Sequence, residues 1–321
     1  MKLVVVSICK DEESTIGDVL DGVPAKVPGV SGIEKWVIDD GSTDGTVKVA
    51  KKHGAQVLSD GVNKRLAYRF REAVDLALSR NADIMVNIDG DLQFNPSDIP
   101  IIIDPIIQET ADFVAADRFT SPEDSLPHRP KNMSGGKYYG NKLGSWVTSK
   151  LSQHKFNDVT CGFRAYNRRA MIALNINNSY TYTQESFQIM AMKKMRIVAV
   201  PVAVKYYPDR KSRVVTSIPK YVALSALNIL RLYRDFAPLR FFGWFGFVPF
   251  MLGLICLVGF TGHWIATGSF SPYKFLGFAG AYFMTLAIFF WALGLVADML
   301  SRMLNNQEKI LELLKEERYK K

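Results

Sequence analysis

The stretch Ile84-Met85-Val86-Asn87-Ile88-Asp89-Gly90-Asp91-Leu92-Gln93 decides how the rest of the chain reads. Ile84–Ile88 has the composition of a buried strand, and it stops on two carboxylates separated by one glycine. Aspartates two positions apart reach one cation when the chain turns between them, and Gly90 makes such a turn easy. Their hard oxygens suit Mg²⁺ or Mn²⁺, and a cation held there neutralises charge on a departing diphosphate. The plain alternative is a solvated acidic turn; a position at a strand's carboxyl end favours the ligand-binding reading.

Upstream, Leu3–Ile8 predicts a strand, closed by Lys10, Asp11, Glu12 and Glu13. A helix is expected from about Ser14, whose hydroxyl is placed to cap it. Trp36–Asp39 predicts a second strand, ending in Asp39-Asp40-Gly41-Ser42-Thr43-Asp44-Gly45-Thr46. A helix from about Asp44 to His53, a short strand over Gln56–Leu58 and a helix over Leu66–Arg80 follow. Strands alternating with helices imply an α/β domain with a mostly parallel sheet. Ligands of such sheets bind beyond the carboxyl ends of the strands, where both acidic clusters fall. The first cluster suits hydrogen bonds from a base or a ribose, and it equally suits an Asx-turn and helix cap. Farther on, Arg118 to about Asn132 reads as a mobile loop, Gly135–Ser152 as a helix, and Phe163–Tyr166 and Ile197–Val204 as strands.

The 321 residues carry a net charge of +9 and are 48% hydrophobic, and the apolar content is unevenly spread. Phe241–Gly262 and Phe275–Ala297 are nearly uncharged and long enough to cross a bilayer. Basic residues gather before the first run and after the second, so the positive-inside rule puts both ends in the cytoplasm. Ser217–Phe236, with Ile218, Val222, Ile229, Tyr233 and Phe236 on one face, is expected to lie in the membrane interface. Leu300, Leu304, Gln307, Leu311 and Leu314 form a short heptad seam, which leaves open a homo-oligomer, dimer or tetramer, against a lone helix continuing from the membrane. No zinc-finger spacing or RNA-reading aromatic pattern supports nucleic acid. Cys9, Cys161 and Cys256 are far apart and fit a reducing compartment. The opening apolar run is too short for a signal peptide.

Val4–Glu13, Val37–Thr46 and Asp89–Pro96 resemble the signature stretches of family 2 glycosyltransferases with the GT-A fold. Asp117-Arg118, Asp158–Tyr166 (DVTCGFRAY) and Lys211-Ser212-Arg213 resemble its polyprenol-phosphate branch, which includes dolichol-phosphate mannose synthase and bacterial undecaprenyl-phosphate glucosyltransferases. The resemblance implies a GT-A catalytic domain over 1–215, an interfacial helix over 216–238, a transmembrane hairpin over 239–300 and a C-terminal helix over 301–321. It implies a multi-pass protein of the cell or endomembrane membrane, moving a hexose from a UDP- or GDP-sugar to undecaprenyl or dolichyl phosphate with inversion. Asp89, Asp91 and Gln93 would hold metal and diphosphate, with Gly90 between them. Asp40 would contact the base, with Glu12 and Asp39 nearby. Arg118 and Arg129 or Lys131 would face the lipid phosphate, and Arg210, Ser212 and Arg213 would close on the phosphates. Asp158 and Glu185 are candidates to orient sugar or acceptor, against the plainer fate of a surface salt bridge. Where the family carries a proline-containing opening and a glycine-rich stretch, this chain has Ser7–Glu12 and Asn63–Ala67, so base and sugar stay open. The competing readings are a processive polysaccharide synthase, whose QxxRW motif is missing, and a non-catalytic membrane scaffold.

Overall fold

The valine-rich opening forms β1 (Lys2–Cys9), and the remaining strands are β2 (Gly32–Asp39), β3 (Gln56–Leu58), β4 (Ile84–Asn87), β5 (Phe113–Asp117), β6 (Arg164–Asn167) and β7 (Ile197–Pro201). This computed structural model describes residues 1–152, 154–176, 182–207, 227, 230, 231, 233–235 and 237–320. The chain falls into two units, Met1–Lys211 with Glu312–Lys321, and Ser212–Leu311.

In the first unit the strands make one seven-stranded sheet in the order β3-β2-β1-β4-β6-β5-β7. β6 runs antiparallel to β4 and β5, and the other pairings are parallel. Along β1 the side chains alternate between two cores: Val4 and Val6 join Phe70, Met85 and Tyr166, while Leu3 and Val5 join Val19, Val86 and Ile102. Burial on both faces explains why β1 and β4 read as near-continuous apolar runs. Parallel pairing, with Cys9 opposite Asp39 and Val6 opposite Asn87, brings the carboxyl ends of β1, β2 and β4 to one edge. That is the GT-A fold.

The helices of this unit are α1 (Ile16–Asp21), α2 (Thr46–Lys52), α3 (Leu66–Ser79), α4 (Ile99–Ile107), α5 (Gly135–Ser152), α6 (Arg168–Ala173) and α7 (Thr183–Met192). The expected Ser14 cap is corrected: Thr15 occupies the cap position of α1, and its hydroxyl donates to the Gly90 carbonyl at 2.8 Å instead of capping the helix. The end of β1 is thereby tied to the turn after β4.

Asp112, just before β5, is buried and accepts from the Arg196 backbone N–H at 2.9 Å, Arg196 Nη2 at 2.9 Å and Asn167 Nδ2 at 2.9 Å. Arg196 holds its carboxyl well below the usual carboxylate range. Asp112→Ala should lower stability by about 2 kcal/mol. The folded-state pKa is depressed, so this contribution is full above about pH 4 and is lost as pH falls toward the folded value. Thermal melts of both proteins should therefore converge in acid.

The second unit contains α8 (Pro238–Thr267, 30 residues) and most of α9 (Lys274–Arg318, 45 residues). At ~1.5 Å per residue these reach ~45 and ~68 Å, against a hydrocarbon core of about 30 Å. Leu252, Ile255, Val258, Phe278 and Ile288 are exposed, the opposite of a soluble protein's core helix. Both helices are long and apolar enough to cross a membrane. They meet at glycines: a Cβ on Gly253 would stand 3.1 Å from the Gly280 carbonyl oxygen, and one on Gly280 3.3 Å from that of Gly253. Such close backbone approach is how helices pack where water gives no hydrophobic drive.

The C-terminal helix is the continuation of α9, with no break after the span. Its last turns belong to the first unit, where Lys315 Nζ donates to the Leu174 carbonyl at 2.8 Å, Glu312 pairs with Lys193 at 2.5 Å and Arg168 donates to the Tyr319 carbonyl. Leu300, Leu304, Leu311 and Leu314 of the seam are exposed. Most of the proposed interfacial helix lies outside the described residues.

Candidate active site

Four acids from the sheet edge surround the Cys9 thiol. Burial first, then the charges of Glu12, Asp89, Asp39 and Asp91, pushes that thiol well above its ordinary value. Asp89 carries the same crowding: burial and the neighbouring Asp91 push its carboxyl up to about 7, against the opposing pull of Arg118 and Arg164. Two carboxylates that resist sharing one pocket as anions are a fitting pair for a divalent cation. The Gln93 backbone N–H donates to Asp91 Oδ1 at 3.1 Å, and the Gln93 carbonyl accepts from the Lys205 N–H at 2.9 Å.

Gly90 serves the site by lack of volume. Leu92, with φ of 57°, takes the left-handed conformation in this turn, whereas a Cβ on Gly90 would overlap Cys9 Sγ. Gly162 does the same for Asp89: a Cβ there would fall 2.5 to 2.8 Å from the carboxylate atoms. Asn87 Nδ2 holds the Gly162 carbonyl at 2.8 Å. Arg164, fully buried, clamps the segment by donating to the Cys161 carbonyl at 2.7 Å, the Val159 carbonyl at 3.1 Å and the Thr183 carbonyl at 2.9 Å.

At the end of β2, Asp39 accepts from the Ser42 N–H at 3.0 Å and the Ser59 hydroxyl at 2.6 Å. Asp40 Oδ1 accepts from the backbone N–H groups of Lys64 (2.7 Å) and Arg65 (3.1 Å) and from Arg69 Nε (3.1 Å). Asp44 makes the Asx-turn, its Oδ1 accepting from the Thr46 N–H at 3.0 Å. Arg69 is buried and also pairs with Asp60 at 2.5 Å and Glu72 at 2.7 Å. Arg69→Met should cost ~2 kcal/mol, less than a fully buried pair because Asp60 and Glu72 reach water. A thermal melt of the full chain checks this.

Arg118 and Asp158 form a buried bidentate pair, with Nε to Oδ2 at 2.6 Å and Nη2 to Oδ1 at 2.8 Å. Burial works against both charges, yet each holds the other ionised. The surface-salt-bridge expectation for Asp158 is therefore corrected: its side chain has no exposed area. Arg118 Nη2 also donates to the Thr160 hydroxyl at 2.7 Å, and Nη1 to the Tyr206 hydroxyl at 2.9 Å. Arg129 Nε donates to the Met133 carbonyl at 2.8 Å, and Lys131 is exposed. Glu12 and Glu185 are buried. Arg210, Ser212 and Arg213 lie outside the described residues.

The model of glycosyl transferase family 2 matches residues 4–174, more than half of the chain. The chain belongs to that family. This family 2 member is a glycosyltransferase, and transferases named for dolichyl and undecaprenyl phosphates are among its relatives. Glycosyltransferase AglJ of Haloferax volcanii is 26% identical over 95% of each chain. A UDP-N-acetylglucosamine–dolichyl-phosphate N-acetylglucosaminyltransferase of Methanococcus voltae is 27% identical, over 53% of this chain and 74% of that one. Among solved structures, glucosyl-3-phosphoglycerate synthase of Mycobacterium tuberculosis, in complex with Mn²⁺ and UDP, shares the fold with a TM-score of 0.54. It is 21% identical, over 71% of this chain and 79% of that one.

Several residues that shape the site in this family 2 chain escaped sequence reasoning. Arg69 had a signal, a charge on the apolar face of α3 beside Ala67, Phe70 and Ala73. Gly162 and Arg164 lie in the Asp158–Tyr166 stretch already singled out, but nothing there gave them individual roles, and Tyr206 had no signal at all, because these contacts are made across the sheet edge.

Proposed function

We propose that this glycosyltransferase moves a hexose from a UDP- or GDP-linked sugar onto a polyprenyl phosphate at the cytoplasmic leaflet, with inversion at the anomeric carbon. The observation that carries the reading is the crowded Asp89–Asp91 pair at a strand end, in a chain that continues into two membrane-length helices. The names of relatives that act on dolichyl and undecaprenyl phosphates support the acceptor. In the reaction, an oxygen of the acceptor phosphate bonds to C1 of the sugar as the bond from C1 to the donor diphosphate breaks. The nucleoside diphosphate leaves with the electron pair.

A phosphate monoester has its second pKa near ~6, so the acceptor is largely a dianion at neutral pH and needs little help from a base. The protein's work is to hold two anions together. Asp89 and Asp91 would hold Mg²⁺ or Mn²⁺, which when bound supplies charge neutralisation for the leaving diphosphate. Gly162 and Asn87 fix where Asp89 points. Asp39 and Asp40, locked by Ser59, Arg69 and the loop amides, would present a rigid edge to base and ribose, with Glu12 beside them. The heptad seam leaves a homo-oligomer open.

The test incubates the detergent-solubilised full chain with a panel of UDP- and GDP-sugars, Mg²⁺ or Mn²⁺, and a short polyprenyl phosphate. A new lipid of mass equal to acceptor plus one hexosyl unit is expected. Transfer to a free glycan in its place would contradict the acceptor, and no product with any donor would contradict the reading.

A further inference from the structure

Lys137, in the first turn of α5, stands beside the site and has been given no role by the sequence. Its ammonium lies 4.5 Å from the ring centroid of Tyr206, whose hydroxyl accepts from Arg118. The strand-like segment carrying Tyr206 runs along the turn after β4: Val204 bridges Phe94, the Lys205 N–H donates to the Gln93 carbonyl at 2.9 Å, and the Tyr207 hydroxyl donates to the Leu92 carbonyl at 3.4 Å. Tyr206 thus connects Lys137 to Arg118 on one side and to the Asp89–Asp91 turn on the other.

The nearby cations differ in how much charge they have to offer. Arg118 is neutralised by a bidentate carboxylate, and its other contacts fix Thr160 and Tyr206. Arg129 is turned onto the Met133 carbonyl. Among the described residues no carboxylate lies within ion-pair distance of Lys137. Lys137 is exposed to solvent, yet partial desolvation of its ammonium and the Arg118 charge push its pKa down, while Asp91 and Asp158 act the other way. Lys137 is therefore a cation held near another cation, without a counter-charge of its own, and within electrostatic reach of the metal-binding carboxylate. An oxyanion is what such a position lacks.

Resting on the function proposed above, we infer that Lys137 grips the phosphate monoester of the lipid acceptor, with the Tyr206 ring as its platform and the Arg118–Asp158 pair positioning that ring. Phosphoryl oxygens also occur in the donor. The donor's diphosphate, however, has the cation of Asp89 and Asp91 to meet its charge, whereas the acceptor dianion needs a positive group not already neutralised.

The test compares wild type, Lys137→Met and Lys137→Arg as full chains in detergent, measuring KM separately for donor and for short polyprenyl phosphate. Lys137→Met should raise the acceptor KM about tenfold, the loss of one charged hydrogen bond. The donor KM and the thermal midpoint should stay within about twofold and ~2 °C. Lys137→Arg should restore most of the acceptor affinity. A rise in donor KM alone, or no change in either, would overturn the assignment while leaving the transferase reading intact. A second arm needs no turnover: binding of farnesyl phosphate and of farnesol without donor. Wild type should prefer the phosphate, and Lys137→Met should lose that preference about tenfold. Equal binding by the two proteins overturns the role of Lys137 even if wild type transfers no sugar.

Discussion

Asp91→Asn should reduce sugar transfer by about a thousandfold, the scale of losing a charge aimed at a developing anion. The variant should melt no lower than wild type. The substituted amide keeps an oxygen for the Gln93 N–H, and removing the Asp91 charge relieves Asp89. The sign follows from linkage. Burial and the Asp91 charge push the Asp89 carboxyl up to about 7 in the folded protein, well above an unfolded aspartate at about 4, so the folded state loses stability as pH rises between those values. Deleting the charge that contributes to this shift should leave the variant slightly more stable than wild type at about pH 8. Paired transfer assays and thermal melts read both effects. Full activity with unchanged metal dependence would remove Asp91 from the mechanism.

Gly162→Ala carries the second largest effect, about a hundredfold loss of transfer, the usual cost of moving a reacting geometry by about 1 Å. The new methyl would overlap the Asp89 carboxylate, falling 2.5 to 2.8 Å from its atoms. Asp89 must swing away, because Asn87 and Arg164 pin the glycine's own segment. The apparent affinity for Mg²⁺ or Mn²⁺ should fall along with the rate. A variant with normal metal activation would show that Asp89 tolerates displacement and is not a ligand.

The parts of the fold legible in the sequence share one physical property: their burial pattern survives as a local signal. β1 and β4 are apolar runs closed by charge, β2 was legible only in its second half because Glu34 and Lys35 interrupt the first, and the spanning stretches of both membrane-length helices are apolar on every side. α7 gave no such signal, since it is buried from Gln184 through Ala191 and keeps polar residues inside, so no amphipathic stripe exists to read. α4 was hidden by Pro100 and Pro105, although Pro100 falls in the first turn, where its missing N–H costs nothing. β5 follows the unrecognised α4, and its pairing with β6 and β7 is set by residues far along the chain.

The site divides the same way. Asp89 and Asp91 announce themselves by spacing, and Asp39 and Asp40 by their place after a strand. What the spacing could not reveal is who surrounds them. Arg118 and Asp158 are 40 positions apart and form one buried pair. Arg69 stands 29 positions from the Asp40 it holds. Such contacts depend on strand order, and the antiparallel β6 inserted between β4 and β5 is what carries Gly162 and Asp158 to the edge that holds Asp89 and Asp91.

The most direct measurement is an anomalous difference map from crystals of the full chain soaked with Mn²⁺ and UDP or GDP. One manganese peak contacting the carboxylates of Asp89 and Asp91 and both phosphates of the nucleotide is the predicted result. An ordered nucleotide with no manganese at those carboxylates would contradict it.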